Sequence, residues 1–395
     1  MSGILSSVYN NAIIALARNS DALLRLQEQA STGSRVNRPS DDPSAAYYIL
    51  TLNSENRSLE NYINTLADVT GTLQVSSSII GQMGSCISQA RVSITQIASG
   101  VYDQDGRNRA AEAINSTLEQ LVQLANTKHN DQYLFGGGQN DTAPFAVERN
   151  NGEITAVTYQ GSYETRSVNV ASGISSSAFY VGQDMFQSDS RGEPVFLGDT
   201  GATAGTGTSS VTGDVWLTVA FDGTEYQLSI DDGATFTPVS AGPADNLPVT
   251  DSRTGKVLYV DTTGINGEGV ELVRVPGTYD IFGALITVRD MLRNDRNLSD
   301  AQIQQLRNAS IGSLEEIQNL LAQKQTSVGL RIGFLDGIKS SIEDVKFNTE
   351  DETTRLEEAD IAQVAIDLSR YEALYQMSLA VAGKLMSLSL LDFIE

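Results

Sequence analysis

One run of residues limits what this chain can fold into more than any other. Leu59, Tyr62, Leu66, Val69, Leu73, Ser76, Ile80, Met83, Ile87, Ala90, Ile94, Ile97 and Val101 follow one another at spacings that alternate three and four without a break. That alternation keeps one side of an α-helix apolar throughout, the seam of a coiled coil. At about 1.5 Å per residue the seam extends roughly 60 Å. A lone amphipathic helix of this kind has nothing to bury its stripe against and is unstable in water. The chain must supply a partner.

The C-terminal part supplies one. Leu314, Ile317, Leu321, Val328, Leu335, Ile338, Ile342 and Val345 hold a second heptad register, interrupted by Lys324 and Arg331. Two further helices lie outside this pair. The first has Tyr9, Ala12, Leu16, Leu23, Leu26 and Ala30 on its seam, with Asn19 as the polar member. The last runs through Ile361, Val364, Leu368, Tyr371, Tyr375, Ala382 and Leu385 to Leu391. The economical arrangement pairs end helix with end helix and inner helix with inner helix. Charge agrees, since residues 1–40 carry a slight positive excess and residues 350–395 a negative one.

Local signals mark the boundaries. Ser31-Thr32-Gly33 stops the first helix, with Gly33 suited to the left-handed position after it. Asp42 reads as an N-cap and Pro43 as the first helical residue, where a missing N–H costs nothing. Asp103 to Gly106 turns the chain into a shorter helix through Ala111, Ile114, Leu118, Leu121 and Ala125, expected to end at Phe135-Gly136-Gly137-Gly138. Ser299 and Gln302 fit a capping box.

From Asn140 to about Thr278 the apolar period changes from helical to alternating. Candidate strands are Ile154 to Tyr159, Ser167 to Val170, Val215 to Phe221, Tyr226 to Ile230 and Val257 to Val260. Asn151-Gly152, Asp222-Gly223, Asp232-Gly233 and Thr254-Gly255 separate them, and the strands around Asp222-Gly223 form the best hairpin. Gly198 to Ser210 reads as a mobile loop.

The chemistry available is narrow. A net charge of −23 over 395 residues argues against nucleic acid and anionic membrane as partners. Ala12 to Ala17 is apolar but far too short to span a bilayer. The N-terminus shows no secretory signal pattern, so export by a cleaved signal is not expected. His129 is the only histidine and Cys86 the only cysteine, which removes zinc motifs and disulfides and leaves one conceivable dyad. Gly136-Gly137-Gly138 follows a helix, so it reads as a stop and hinge, not a phosphate loop. Asp231-Asp232-Gly233 and Asp261 to Gly269 lack the ligand spacing of an EF-hand. Trp216 and Tyr226 could form a sugar-binding face, although strand aromatics are more often core.

Thr32-Gly33-Ser34-Arg35-Val36-Asn37-Arg38-Pro39-Ser40-Asp41-Asp42-Pro43 resembles the N-terminal signature of the flagellin superfamily. Gln376-Met377-Ser378-Leu379-Ala380 and Leu388-Ser389-Leu390-Leu391-Asp392-Phe393-Ile394 are similar to its terminal helix. Both prolines of Pro39-Ser40-Asp41-Asp42-Pro43, the stretch from Ala125 to Gly137, and the Leu388–Ile394 ending resemble junction members of the superfamily more than filament subunits. The resemblance covers about residues 1–140 and 280–395, and in the middle it thins to Tyr159-Gln160-Gly161.

Pattern and resemblance together imply an α+β fold, an antiparallel helical bundle or coiled-coil rod made from both ends of the chain, with an inserted all-β domain. Residues 1–42 and 355–395 are expected to be terminal helices, disordered in the monomer and forming an inner tube on assembly. Residues 43–139 and 279–354 are expected to be the long-helix rod, and residues 140–278 the surface-exposed β domain. The resemblance implies a structural subunit without enzymatic activity or cofactor, outside the cell at the hook–filament junction of the bacterial flagellum. It also implies export through the flagellar type III apparatus. The implied partners are further copies of the chain in a ring, hook-associated protein 1, flagellin and a cytoplasmic export chaperone. Its assembly interface is expected at Leu5, Val8, Ala12, Leu16, Leu23, Leu26, Ile361, Val364, Leu368, Tyr371, Tyr375, Leu385, Leu388, Leu391 and Phe393. The family turn would be carried by Gly33, Arg35, Asn37, Pro39, Asp41, Asp42 and Pro43. A filament flagellin, and a glycan-binding or hydrolytic β module on a helical stalk, stay open as alternatives.

Overall fold

The computed structural model describes residues 2–99, 103–239 and 244–394, with side chains described in 10–96, 103–239 and 244–384. Helices α1 (Ser2–Thr32), α2 (Pro43–Ser99) and α3 (Gln104–Ala125) come first. They are followed by strands β1 (Lys128–His129), β2 (Gln132–Tyr133), β3 (Phe145–Asn150), β4 (Glu153–Tyr159), β5 (Val168–Ala171) and β6 (Ile174–Ser176), then the short helix α4 (Gly182–Phe186). Strands β7 (Val195–Leu197), β8 (Thr203–Ala204), β9 (Gly213–Phe221), β10 (Tyr226–Ser229), β11 (Thr237–Pro238), β12 (Leu247–Thr250), β13 (Val257–Asp261) and β14 (Gly269–Val275) complete the middle. Helices α5 (Ile281–Arg293), α6 (Asp300–Glu357) and α7 (Ile361–Ile394) close the chain. Contacts divide it into two compact units, Met1–Asn64 with Ile338–Glu395, and Thr65–Gly337. Both α2 and α6 contribute to each.

The α2 seam is buried as its spacing predicts. Leu66, Val69, Leu73, Ser76, Ile80, Met83, Ile87, Ala90 and Ile94 are all buried, while Leu59 and Tyr62 are half-buried. Ile97 and Val101 lie outside the described side chains. On α6 the matching residues Leu314, Ile317, Leu321, Val328 and Leu335 are buried. The two helices run antiparallel, with Gln325 donating to the Ser77 carbonyl at 3.4 Å and Arg91 paired to Glu315 at 3.3 Å. The interrupting Arg331 leaves the seam, donating to Ser176 at 3.0 Å and stacking on Tyr180.

Helix α3 buries Ala111, Ile114, Leu118, Leu121 and Ala125 and packs on α5. Asp103 caps α3 through the Gly106 N–H at 2.9 Å, and Asp280 caps α5 through Phe282 and Gly283. The capping box at Ser299 and Gln302 forms in both directions. Contrary to expectation, α3 stops at Ala125, ahead of the glycines. Residues 128–133 form a two-residue hairpin whose Asn130 and Asp131 take left-handed conformations, so His129 sits on a strand.

In the middle region a five-stranded antiparallel sheet, ordered β11-β10-β9-β14-β7, packs against a three-stranded sheet, β12-β13-β8. Leu217, Val219, Leu228, Ile230, Val249, Leu258, Val260, Val273 and Val275 make the core between them. The hairpin around Asp222-Gly223 forms in the expected register, with Tyr226 opposite Phe221. Strand β14, beside β9, escapes sequence patterning because Glu271 and Arg274 fall on opposite faces of a strand buried on both. Arg274 is bidentate to Asp214 at 2.7 and 2.8 Å, and Glu271 accepts from Thr200. The tract 198–210 is not a free loop. Thr200 and Ala202 are buried, and Thr203 and Ala204 pair with Asp261 and Val260.

Asp231 fastens the turn after β10 to the opposite sheet. Its carboxylate accepts from Ser229, Thr235 and Ser252 hydroxyls at 2.8, 2.6 and 2.6 Å. Burial pushes this carboxyl up, but those hydrogen bonds outweigh it and hold it well below the usual carboxylate range. A depressed pKa means the stabilisation is complete above about pH 4, the ordinary aspartate value, and is lost as pH falls below it. Asp231→Ala is expected to cost about 2 kcal/mol in urea unfolding followed by Trp216 fluorescence. Asp231→Asn should flatten the acid dependence of the wild-type curve.

Candidate functional site

The family turn and the turn between α6 and α7 are tied together. Gly33 ends α1 at φ +73°. The Ala359 N–H donates to the Gly33 carbonyl at 2.9 Å, and the Arg35 N–H donates to the Glu357 carbonyl at 2.7 Å. Arg35 then reaches the Leu356 carbonyl at 3.1 Å and Asp42 at 3.0 Å. Asn37 donates to the Ser34 carbonyl at 3.1 Å, and Asp41 accepts from the Arg38 N–H at 2.9 Å. Pro39 is exposed, and Pro43 opens α2. Asp42 caps that helix through the Ala45 N–H at 3.0 Å. That N–H, and then the Arg35 guanidinium, hold the Asp42 carboxyl below its usual value. Every residue of the expected turn except Pro39 therefore has a defined structural task.

Helices α1 and α7 pack along each other, with Asn19 donating to Ser378 at 2.9 Å inside the pair. Ala12, Leu16, Leu23 and Leu26 are half-buried on α1. On α7 Val364 is buried, and Leu368, Tyr371 and Tyr375 are half-buried. Ile361 points outward. The side chains of Leu5, Val8, Leu385, Leu388, Leu391 and Phe393 lie outside the described residues.

Besides Ile361, two more seam positions depart from the sequence pattern. Gln29, not Ala30, is buried on α1, where it donates to the Arg35 carbonyl at 2.9 Å. On α6 Val345 is exposed, and Thr349 and Thr353 take the inside, their hydroxyls bonded back to the carbonyls of Val345 and Thr349. An extra four-residue step after Ile342 moves the stripe, in the way an inserted four residues unwinds a coiled coil. In the unit Met1–Asn64 with Ile338–Glu395, Gln29, Ala45, Ala46, Thr349 and Thr353 lie inside beside Ile49 and Val364. Tyr47 (69% exposed), Leu50 (63%), Phe347 (69%) and Ile366 (64%) face out.

The other candidates resolve as structure. Phe221 faces Tyr226 across the hairpin and lies five residues from Trp216, so Trp216 and Tyr226 are on opposite faces and share no sugar platform. Arg296 covers the Trp216 ring at 4.7 Å and pairs with Asp232 at 2.6 Å. Both border a cavity of about 310 Å³. Cys86 is buried in the α2 seam, where burial pushes its thiol up, and it makes no hydrogen bond with His129. Gly136, Gly137 and Gly138 are not a hinge after a helix. They let backbone meet backbone, with Gly137 donating to the Tyr180 carbonyl and Gly138 to that of Glu164. Among the described residues no group of three or more potential ligands could hold a metal, and no helix is long and apolar enough to cross a membrane.

Residues 6–140 match the bacterial flagellin N-terminal helical region. The resemblance to the flagellin superfamily holds. Flagellar hook-associated protein 3 of Escherichia coli (strain K12) is 33% identical over 145 residues, 36% of this chain and 45% of that protein. Its counterpart in Salmonella typhimurium is 30% identical over 139 residues, 35% of this chain and 44% of that protein. The chain thus spans less than half the length of these two curated relatives. The crystal structure of flagellar hook-associated protein 3 from Legionella pneumophila matches 78% of this chain and 98% of its own, at a TM-score of 0.54 and 16% identity. At that identity the likeness shows the fold, which is the α+β layout of long terminal helices around a β-rich middle.

The tie between the turns generates a prediction. Arg35→Ala removes the contacts to Leu356 and Asp42 together, and Asp42→Ala removes the cap as well as the pair. Both variants should lower the midpoint of the helical signal in thermal circular dichroism, while Arg38→Ala, whose pair with Glu28 is exposed, should leave it unchanged.

Proposed function

We propose that this chain is a non-enzymatic structural subunit of the bacterial flagellum, joining the hook-associated ring to the filament. The observation that carries the proposal is the set of large apolar side chains that Met1–Asn64 with Ile338–Glu395 leaves exposed around a part-polar inside. Burying a side chain such as Leu50, Phe347 or Ile366 gains roughly 1.5–3 kcal/mol, and this unit leaves those outside while Gln29, Thr349 and Thr353 are inside. More than half of the exposed large apolar side chains among the described residues belong to it, although it is less than a third of the chain. Exposed large apolar side chains concentrated in one part of a chain point to an interaction site. Further copies of the same chain are the partner that fits the likeness to hook-associated protein 3.

On this account the terminal helices are loosely held in the free chain and gain full burial against neighbours. That suits export in an unfolded state through the type III apparatus with a cytoplasmic chaperone. Hook-associated protein 1 and flagellin contact the ring from its two sides, and residues 140–278 face the exterior. The interface residues expected from the sequence, from Leu5 to Leu26 and from Ile361 to Phe393, are the surface for these contacts.

A deletion strain tests the proposal against a filament subunit. Loss of a junction subunit should leave hooks without filaments while intact flagellin accumulates in the medium. Hooks without filaments and no flagellin in the medium would identify a filament protein instead.

A further inference from the structure

The outward apolar faces of Met1–Asn64 with Ile338–Glu395 carry opposite charges. On α2, Tyr47, Leu50 and Arg57 fall within one quadrant of the helix at 100° per residue, and all three are exposed. Arg57 bonds only to the Asn53 carbonyl, at 3.2 Å, and has no ion-pair partner among the described residues. On α6, Asp344, Phe347 and Asp351 likewise share one face and are exposed. Asp351 pairs with Arg355 at 3.0 Å on its own helix, and Asp344 has no partner among the described residues. One face is apolar and cationic. The other is apolar and, with Asp351 balanced by the exposed Arg355, leaves the Asp344 carboxylate unpaired among the described residues.

Their levels match as well. α2 begins at Pro43 and α6 ends at Glu357, the two positions that the tied turns hold together. Arg57 and Asp344 each lie about 20 Å along their helices from that point. Tyr47 and Leu50 lie level with Asp351 and Phe347. We infer that the Tyr47–Leu50–Arg57 face of one copy docks on the Asp344–Phe347–Asp351 face of the next. The inference rests on the structural reading above and assigns the faces that meet. Each copy presents one of each, so the contact is heterologous and repeats from copy to copy. Phe347 would be covered by Tyr47 and Leu50, and Arg57 would bridge to Asp344 as water leaves.

Charge reversal in a deletion strain complemented with the full-length chain tests this. Arg57→Glu alone and Asp344→Arg alone should each reduce filaments per cell about tenfold or more, as expected for a reversed pair inside an interface. The variant carrying both should recover to near the wild-type count. Circular dichroism of the purified variants, and their presence in the medium, show that folding and export are intact. Single variants with wild-type filament numbers, or a combined variant no better than either single one, would overturn the inference and leave the junction role standing. If the wild-type chain itself restores no filaments, the junction role fails, and the inference with it.

Discussion

Everything in this molecule depends on the chain returning along itself. The α2 stripe from Leu66 to Ile94 is too long and too apolar to be left in water, and α6, more than two hundred residues later, lies antiparallel to it. Within Met1–Asn64 with Ile338–Glu395, Thr32–Pro43 lies beside Leu356–Ile361, where Gly33, Arg35 and Glu357 close the hydrogen bonds that join the turns. The β region is an insertion with its own two-sheet core.

The same two helices are used in opposite ways along their length. Within Thr65–Gly337 the seam is apolar and closed, with leucine, isoleucine and methionine inside. Within Met1–Asn64 and Ile338–Glu395 the inside is half polar, and aromatic and aliphatic groups are turned out. A closed seam makes a stable body. An inverted one makes a surface that gains from contact. Those properties suit a subunit that persists as a folded unit yet joins neighbours through one defined part of itself.

Much of this was legible in the sequence because it rests on local rules. Heptad spacing located α2 and most of α6, while Asp42, Pro43, Gly33 and the Ser299–Gln302 box placed the helix ends within a residue or two. What was not legible depended on partners far away in the chain. Val345 looked like core and is outside, because the register shifts where Thr349 and Thr353 face in. Glu271 and Arg274 disguised the strand β14, since their burial depends on Thr200 and Asp214, far off in the chain. Trp216 and Tyr226 looked like one face until strand pairing placed them on two. In the candidate interface, residue types identified the helices but not which side of them would be left uncovered.

In the proposed assembly the terminal helices reach full stability only against other copies. Hydrogen exchange resolved along the chain, on the proven monomer and on the assembled protein, measures this directly. The account predicts rapid exchange in residues 10–32 and 361–384 of the monomer, slow exchange in the α2 and α6 seam, and strong protection of the terminal helices only after assembly. Strong protection of residues 10–32 in a proven monomer, unchanged on assembly, would contradict it.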